Sequence, residues 1–268
     1  MRYDVNLSIL FTELPLLQRA EAARKAGFGA VEFWWPFDRA VPTDAEVDAF
    51  VGSVNDAGVD LVGLNFFAGD MAAGDRGLVS WTGREQEFAD SVAVAIDIAG
   101  RLGCRTFNAL YGNRIDGVAP AAQDELALSN LDAAADAAAR IGATLVIEPL
   151  SGADRYPLRT AADAFALIGK VAKDNLALLF DLYHLGVNGD DLDAVIAGHL
   201  AGIGHVQIAD VPGRHQPGTG SLDLAGYLAK LAAGGYDGHV GLEYKPEGPS
   251  EQSFDWLEED RFRAVASR

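Results

Sequence analysis

Eight short apolar runs alternate with longer segments whose apolar residues recur at three- and four-residue intervals, and this alternation constrains the fold more than any other feature. The runs cover 4–10, 30–35, 59–67, 104–110, 144–150, 176–183, 203–209 and 238–244. Between them lie Ala-rich segments near 14–27, 43–57, 82–102, 121–141, 160–173, 190–200 and 221–234, and 250–267 supplies an eighth. Helix punctuation agrees: Thr43 and Asp44 precede one segment, and Gly27, Gly58, Gly103 and Gly142 follow the ends of four. The runs carry Val, Leu and Ile on both parities, as strands do when one face meets a barrel interior and the other a layer of helices. The expectation is a single α/β domain over residues 1–268, a (β/α)8 TIM barrel. A doubly wound open sheet is the alternative, but no Gly-x-Gly-x-x-Gly turn follows the first strand.

Composition narrows the function. There are 21 Lys plus Arg against 39 Asp plus Glu, a formal charge of -18. Such a surplus argues against a nucleic-acid partner, which needs clustered cations along its phosphate backbone. The apolar runs are strand-length, far below the ~20 residues that cross a bilayer, so no membrane partner is expected either. Arg2 and Asp4 open the chain and the next apolar run stops at Glu13, so no export signal is read there. The single cysteine, Cys104, excludes an internal disulfide and a Cys-rich zinc site. A cytoplasmic location follows as the expectation. A homo-oligomer is left open.

In a barrel the chemistry sits at the C-terminal ends of the strands. There, strand five carries Glu148, strand six Asp181, strand seven Gln207 and strand eight Glu243. Side chains alternate along a strand, so Glu148 shares a face with Val146 and Thr144, Asp181 with Leu179, Gln207 with His205, and Glu243 with Gly241. All four therefore point inward together near the mouth. Three carboxylates in a partly dry cavity repel one another unless a cation joins them. Three carboxylates and an amide oxygen form an all-oxygen set suited to one Mg2+ or Mn2+ ion.

Several stretches carry a family resemblance. NLSILFTELPLLQRAEAARKAGFGAVEF (Asn6 to Phe33), GDMAAGDRGL (Gly69 to Leu78), HVQIAD (His205 to Asp210) with its PGTG tail (Pro217 to Gly220), and LEYKP (Leu242 to Pro246) together resemble the hydroxypyruvate isomerases. These belong to the wider xylose-isomerase-like barrels, with ketose epimerases, inosose dehydratases and an endonuclease branch. The resemblance implies interconversion of hydroxypyruvate and 2-hydroxy-3-oxopropanoate through a metal-stabilised enediolate. It implies metal ligands at Glu148, Asp181, Gln207 and Glu243, with the two glutamates as acid and base. It also makes His184 a substrate contact and implies a small-molecule keto acid as the partner.

Around this set stand weaker candidates. Arg214 and His215 lie in the loop after strand seven, where the related epimerases place an arginine near substrate, and Arg214 is the nominated anchor for the substrate carboxylate. Lys245 and Arg76 are the other cations that could take that role. His205 and His239 lie deeper and read as core histidines, and His199 sits late in a helix. Trp34 shares its parity with Glu32, so Trp34 or Trp35 is a candidate pocket wall. Alternatives on the same scaffold are a 2-oxo-tetronate isomerase, a ketose 3-epimerase and a non-catalytic sugar- or acid-binding barrel. The endonuclease branch, which uses a His-rich multi-zinc cluster and a basic DNA face, fits neither the five histidines nor the charge.

Overall fold

A computed structural model describes residues 1–262. Eight parallel strands close into a barrel in sequence order: β1 (Arg2–Asn6), β2 (Ala30–Phe33), β3 (Asp60–Asn65), β4 (Thr106–Asn108), β5 (Thr144–Ile147), β6 (Leu176–Asp181), β7 (Ile203–Ile208) and β8 (His239–Leu242). Closure is made by β1 against β8, where Arg2 to Val5 pair with His239 to Leu242. Outside lie α1 (Leu16–Lys25), α2 (Asp44–Ala57), α3 (Glu85–Leu102), α4 (Pro120–Ala139), α5 (Ala161–Val171), α6 (Leu182–Asn188), α7 (Leu192–His199) and α8 (Leu224–Ala233). The expected TIM barrel is therefore the observed fold.

Local chemistry explains the boundaries. Thr43 caps α2 in a reciprocal box: its hydroxyl accepts the Glu46 N–H, and the Glu46 carboxylate accepts the Thr43 N–H. Thr160 and Asp163 do the same for α5. Gly58 and Gly103 end α2 and α3 with positive φ, a conformation glycine reaches without a Cβ clash. Outward strand residues such as Leu145, Ile147 and Phe180 are fully buried under the helices.

Two departures from the periodicity are informative. Asp181 ends β6 and at once caps α6, its carboxylate accepting the Tyr183 N–H at 2.8 Å. The apolar run 176–183 thus spans a strand and the first turn of a helix. The eighth helix expected at 250–267 is instead two 3-10 turns, Ser250–Gln252 and Asp255–Glu258, with a further helical start at 260–262. Ser250 explains the first turn: its Oγ accepts the Phe11 N–H and donates to Glu13, which ties this segment to the β1–α1 loop. Residues 263–268 of that expected helix lie outside the described residues.

The loop after β3 reaches over the mouth, and Gly77 fixes its path. Its φ is +113°, and a Cβ built there would lie 1.9 Å from the Leu110 carbonyl oxygen. Gly77→Ala is expected to cost at least about 2 kcal/mol, from left-handed strain plus displaced backbone. Urea denaturation measures this; a loss below about 0.5 kcal/mol would show that the loop relaxes freely.

Candidate active site

At the mouth of the barrel the late polar residues of four successive strands meet. Ligand-capable atoms of Glu148, Asp181, His184 and Glu243 all lie within 4.8 Å of one another. All four residues are buried. Asp181 and Gln207 are paired neighbours across β6 and β7, and Gln207 Nε2 lies 3.3 Å from Glu243 Oε1. The structure thus brings the four residues chosen by parity to one place.

Their hydrogen bonds differ. Glu243 Oε1 accepts from Trp34 Nε1 at 2.6 Å, Asn6 Nδ2 at 2.9 Å and Gln207 Nε2, while Oε2 contacts the Arg214 guanidinium. Among the described residues Glu148 has one side-chain donor, Asn108 Nδ2 at 2.7 Å. Burial, then the charges of Glu243 and Asp181, pushes the Glu148 carboxyl well above the usual range. Burial also pushes Asp181 up to about 7, against the pull of Arg214, and raises Glu243.

Two oxygens of this set lack a donor. Among the described residues Asp181 Oδ2 and Gln207 Oε1 are buried without a hydrogen-bond partner. Buried acceptors are ordinarily satisfied, and their desolvation is costly when they are not. Orphaned oxygens beside mutually repelling carboxylates fit a hard divalent cation, with Glu148, Asp181, Gln207 and Glu243 as an all-oxygen donor set.

His184 has a different part. Its Nδ1 accepts the Ser151 N–H at 2.9 Å and lies 2.7 Å from Ser151 Oγ. With Nδ1 an acceptor, the neutral ring carries its proton on Nε2. Burial, Arg214 and Arg76 hold the ring well below the ordinary histidine range, so it stays neutral. Nε2–H faces the site, 3.7 Å from Asp181 Oδ2 and 3.8 Å from Glu148 Oε1. A protonated Nε2 donates a hydrogen bond and does not ligate a metal.

Above the cluster is a cavity of about 570 Å³, lined in part by Trp34, Arg76, Glu148, His184, Arg214 and Lys245. Arg214 leans inward: it contacts Glu243, lies 3.8 Å from Asp181 Oδ2 and packs over the Tyr183 ring. Arg76 is held by the carbonyls of Met71 and Asp75 through Nη1. Among the described residues neither Arg76 nor Lys245 makes an ion pair, so both leave positive charge on the cavity wall. His205 lies deeper, bonded to Glu32 at 2.7 Å, as a core histidine should be.

Residues 20–260 match the family described as the xylose isomerase-like TIM barrel. The chain is 35% identical to the hydroxypyruvate isomerase of Escherichia coli, over 96% of this chain and 98% of the other. It is 55% identical to a Streptomyces coelicolor protein provisionally given the same name, over 96% and 95% of the two chains. The chain belongs to the hydroxypyruvate isomerase family. A 2-oxo-tetronate isomerase of Cupriavidus necator is also similar, at 35% identity over 96% and 97%. Among solved structures, a Brucella melitensis protein described as an AP endonuclease of family 2 superposes with a TM-score of 0.88, at 37% identity over 96% and 98%.

In this family member the site is not confined to strands five to eight. The other strands also place inward polar residues at the site: Asn6 on β1, Glu32 on β2, Asn65 lining the cavity from β3 and Asn108 on β4. Alternation gives each of them its face, and Asn65 and Asn108 stand late in their runs, but Asn6 and Glu32 stand near the middle of theirs.

Proposed function

We propose that this protein is a divalent-metal-dependent isomerase that interconverts hydroxypyruvate and 2-hydroxy-3-oxopropanoate. The supporting observation is the closeness of Glu148 and Glu243 at the floor of a cavity whose wall carries Arg76 and Lys245, neither of which makes an ion pair among the described residues. Bases below and cations above suit a small anion that must lose a carbon-bound proton.

The reaction moves a carbonyl from C2 to C3. One glutamate takes the C3 proton, giving an enediol, and a carboxylic acid in the same site returns a proton to C2. Between these transfers the hydroxyl proton passes from O3 to O2. His184 Nε2–H is placed to donate to a substrate oxygen as charge gathers there. A divalent cation, Mg2+ or Mn2+, held by Glu148, Asp181, Gln207 and Glu243 would polarise the adjacent substrate oxygens and stabilise their developing charge. Arg214, beside Glu243 on the cavity wall, is the cation proposed to hold the substrate carboxylate, with Arg76 and Lys245 as further positive charge on the same wall. A cytoplasmic location is part of this proposal; no described helix is long and apolar enough to cross a membrane.

A four-carbon 2-oxo-tetronate is the second reading, favoured by a 570 Å³ cavity that leaves room beyond three carbons. Turnover with Mn2+ on hydroxypyruvate, 2-oxo-tetronate and a neutral ketose separates the readings. In deuterated water, deuterium is expected at C2 of the product; full retention of the original hydrogen would indicate a hydride shift. Arg214→Met should raise KM for hydroxypyruvate at least about tenfold more than for any neutral ketose. An equal loss on both would indicate loop damage, and no loss would leave the role to Arg76 or Lys245.

A further inference from the structure

Beneath the proposed metal site lies a buried polar assembly that the reaction does not use. Glu32, on β2, sends both carboxylate oxygens into the barrel axis. Its Oε2 is bonded to His205 Nε2 at 2.7 Å. Its Oε1 accepts from Gln207 Nε2 at 2.7 Å and from Asn6 Nδ2 at 3.0 Å. The barrel makes room for this carboxylate. Gly63 is paired with Glu32 in the sheet, and a Cβ there would lie 3.0 Å from Oε2. Gly241 is paired with Gln207, and a Cβ there would lie 2.6 Å from Oε1 of Glu32 and 3.0 Å from Gln207 Cγ.

The consequence falls on Gln207. A primary amide can turn over, exchanging its oxygen and nitrogen at little steric cost. Here the nitrogen sits against two carboxylate oxygens, Glu32 Oε1 at 2.7 Å and Glu243 Oε1 at 3.3 Å. Turned over, the amide oxygen would face those same acceptors with no proton between them. The orientation that satisfies Glu32 therefore leaves Gln207 Oε1 as the free end, and that oxygen is the buried orphan noted above. We propose that Glu32 is a positioning residue: it holds the amide of Gln207 by its N–H end, so that the oxygen is presented to the divalent cation. Groups that orient a ligand in this way typically change metal affinity 10–100-fold when removed.

The proposal rests on the reading of Gln207 as a ligand, and a double-mutant cycle separates the two claims. Mn2+ affinity is measured without substrate, from the electron paramagnetic resonance of the free ion. Glu32→Leu is expected to weaken binding at least about tenfold in the otherwise native protein. In a Gln207→Ala background, where there is no amide to orient, the same change should shift affinity by less than about twofold. Should Glu32→Leu not fold, Glu32→Asp draws the carboxylate back by one methylene and is expected to show the same dependence on Gln207. An equal loss in both backgrounds would make Glu32 a general structural residue and overturn the proposal. Unchanged affinity for Gln207→Ala alone would remove Gln207 from the ligand set, and the proposal would fall with it.

Discussion

Glu148→Gln and Glu243→Gln are each expected to lower kcat at saturating Mn2+ by at least about a hundredfold, the scale on which acid–base catalysis is lost. The amide has the size and shape of the acid but neither accepts nor supplies the transferred proton. Both positions are buried, at 4% and 3% exposure, on the floor of the cavity where the substrate would sit. Their surroundings make the pair unequal. Glu243 is gripped by Trp34, Asn6 and Gln207 on one oxygen and Arg214 on the other, whereas among the described residues Asn108 alone donates to the Glu148 side chain. Glu243→Gln therefore also disturbs the placement of Arg214, and its KM for substrate should rise more than that of Glu148→Gln. Near-normal kcat in both variants with metal bound would exclude the two-glutamate mechanism.

How much of this site is legible in the sequence depends on which strand is read. On β5 to β8 each polar residue stands late in a run of Val, Leu and Ile, and alternation fixes its face without knowledge of the partners. The closed register then does the rest, because parallel strands of a barrel bring equivalent depths together. Glu32 is equally placed by parity but its meaning is not, since it depends on the pairing of β2 across the barrel interior with His205 and Gln207. No period in the chain encodes that contact. The end of β6 is hidden in the sequence for a different reason. Leu182 and Leu185 are buried on α6 as thoroughly as Leu178 and Phe180 are on β6, so an apolar run gives no sign of where extended backbone stops. The 3-10 turns after residue 249 follow from Ser250 and its bonds to Phe11 and Glu13, contacts nearly the full length of the chain apart.

Removal of the metal should abolish activity, and Mg2+ or Mn2+ should restore it, because an all-oxygen site releases its ion to a chelator. The pH dependence of that binding follows from the same carboxylates. In the metal-free protein burial raises Asp181 to about 7 and Glu148 well above its usual range. A folded-state pKa above the unfolded value means the folded chain binds more protons, so Asp181 erodes stability as pH rises from about 4 to about 7, and Glu148 acts in the same sense as pH rises above the ordinary carboxylate range. His184, held neutral by burial, acts in the opposite sense below about 6.5, where the unfolded chain takes up the proton that the folded ring refuses. Bare melting temperatures therefore mix two slopes, and the decisive quantity is the increment that Mn2+ adds at each pH. A cation requires ionised ligands, so at low pH it must first displace protons from Asp181 and Glu148, and at high pH it meets carboxylates whose repulsion it relieves. The Mn2+-induced rise in Tm should accordingly be several degrees larger at about pH 8 than at about pH 6, with protons released on binding at the lower pH. Full activity in chelated protein would remove the metal from the mechanism. An increment that is flat or falls with pH would remove Asp181 and Glu148 from the metal's coordination.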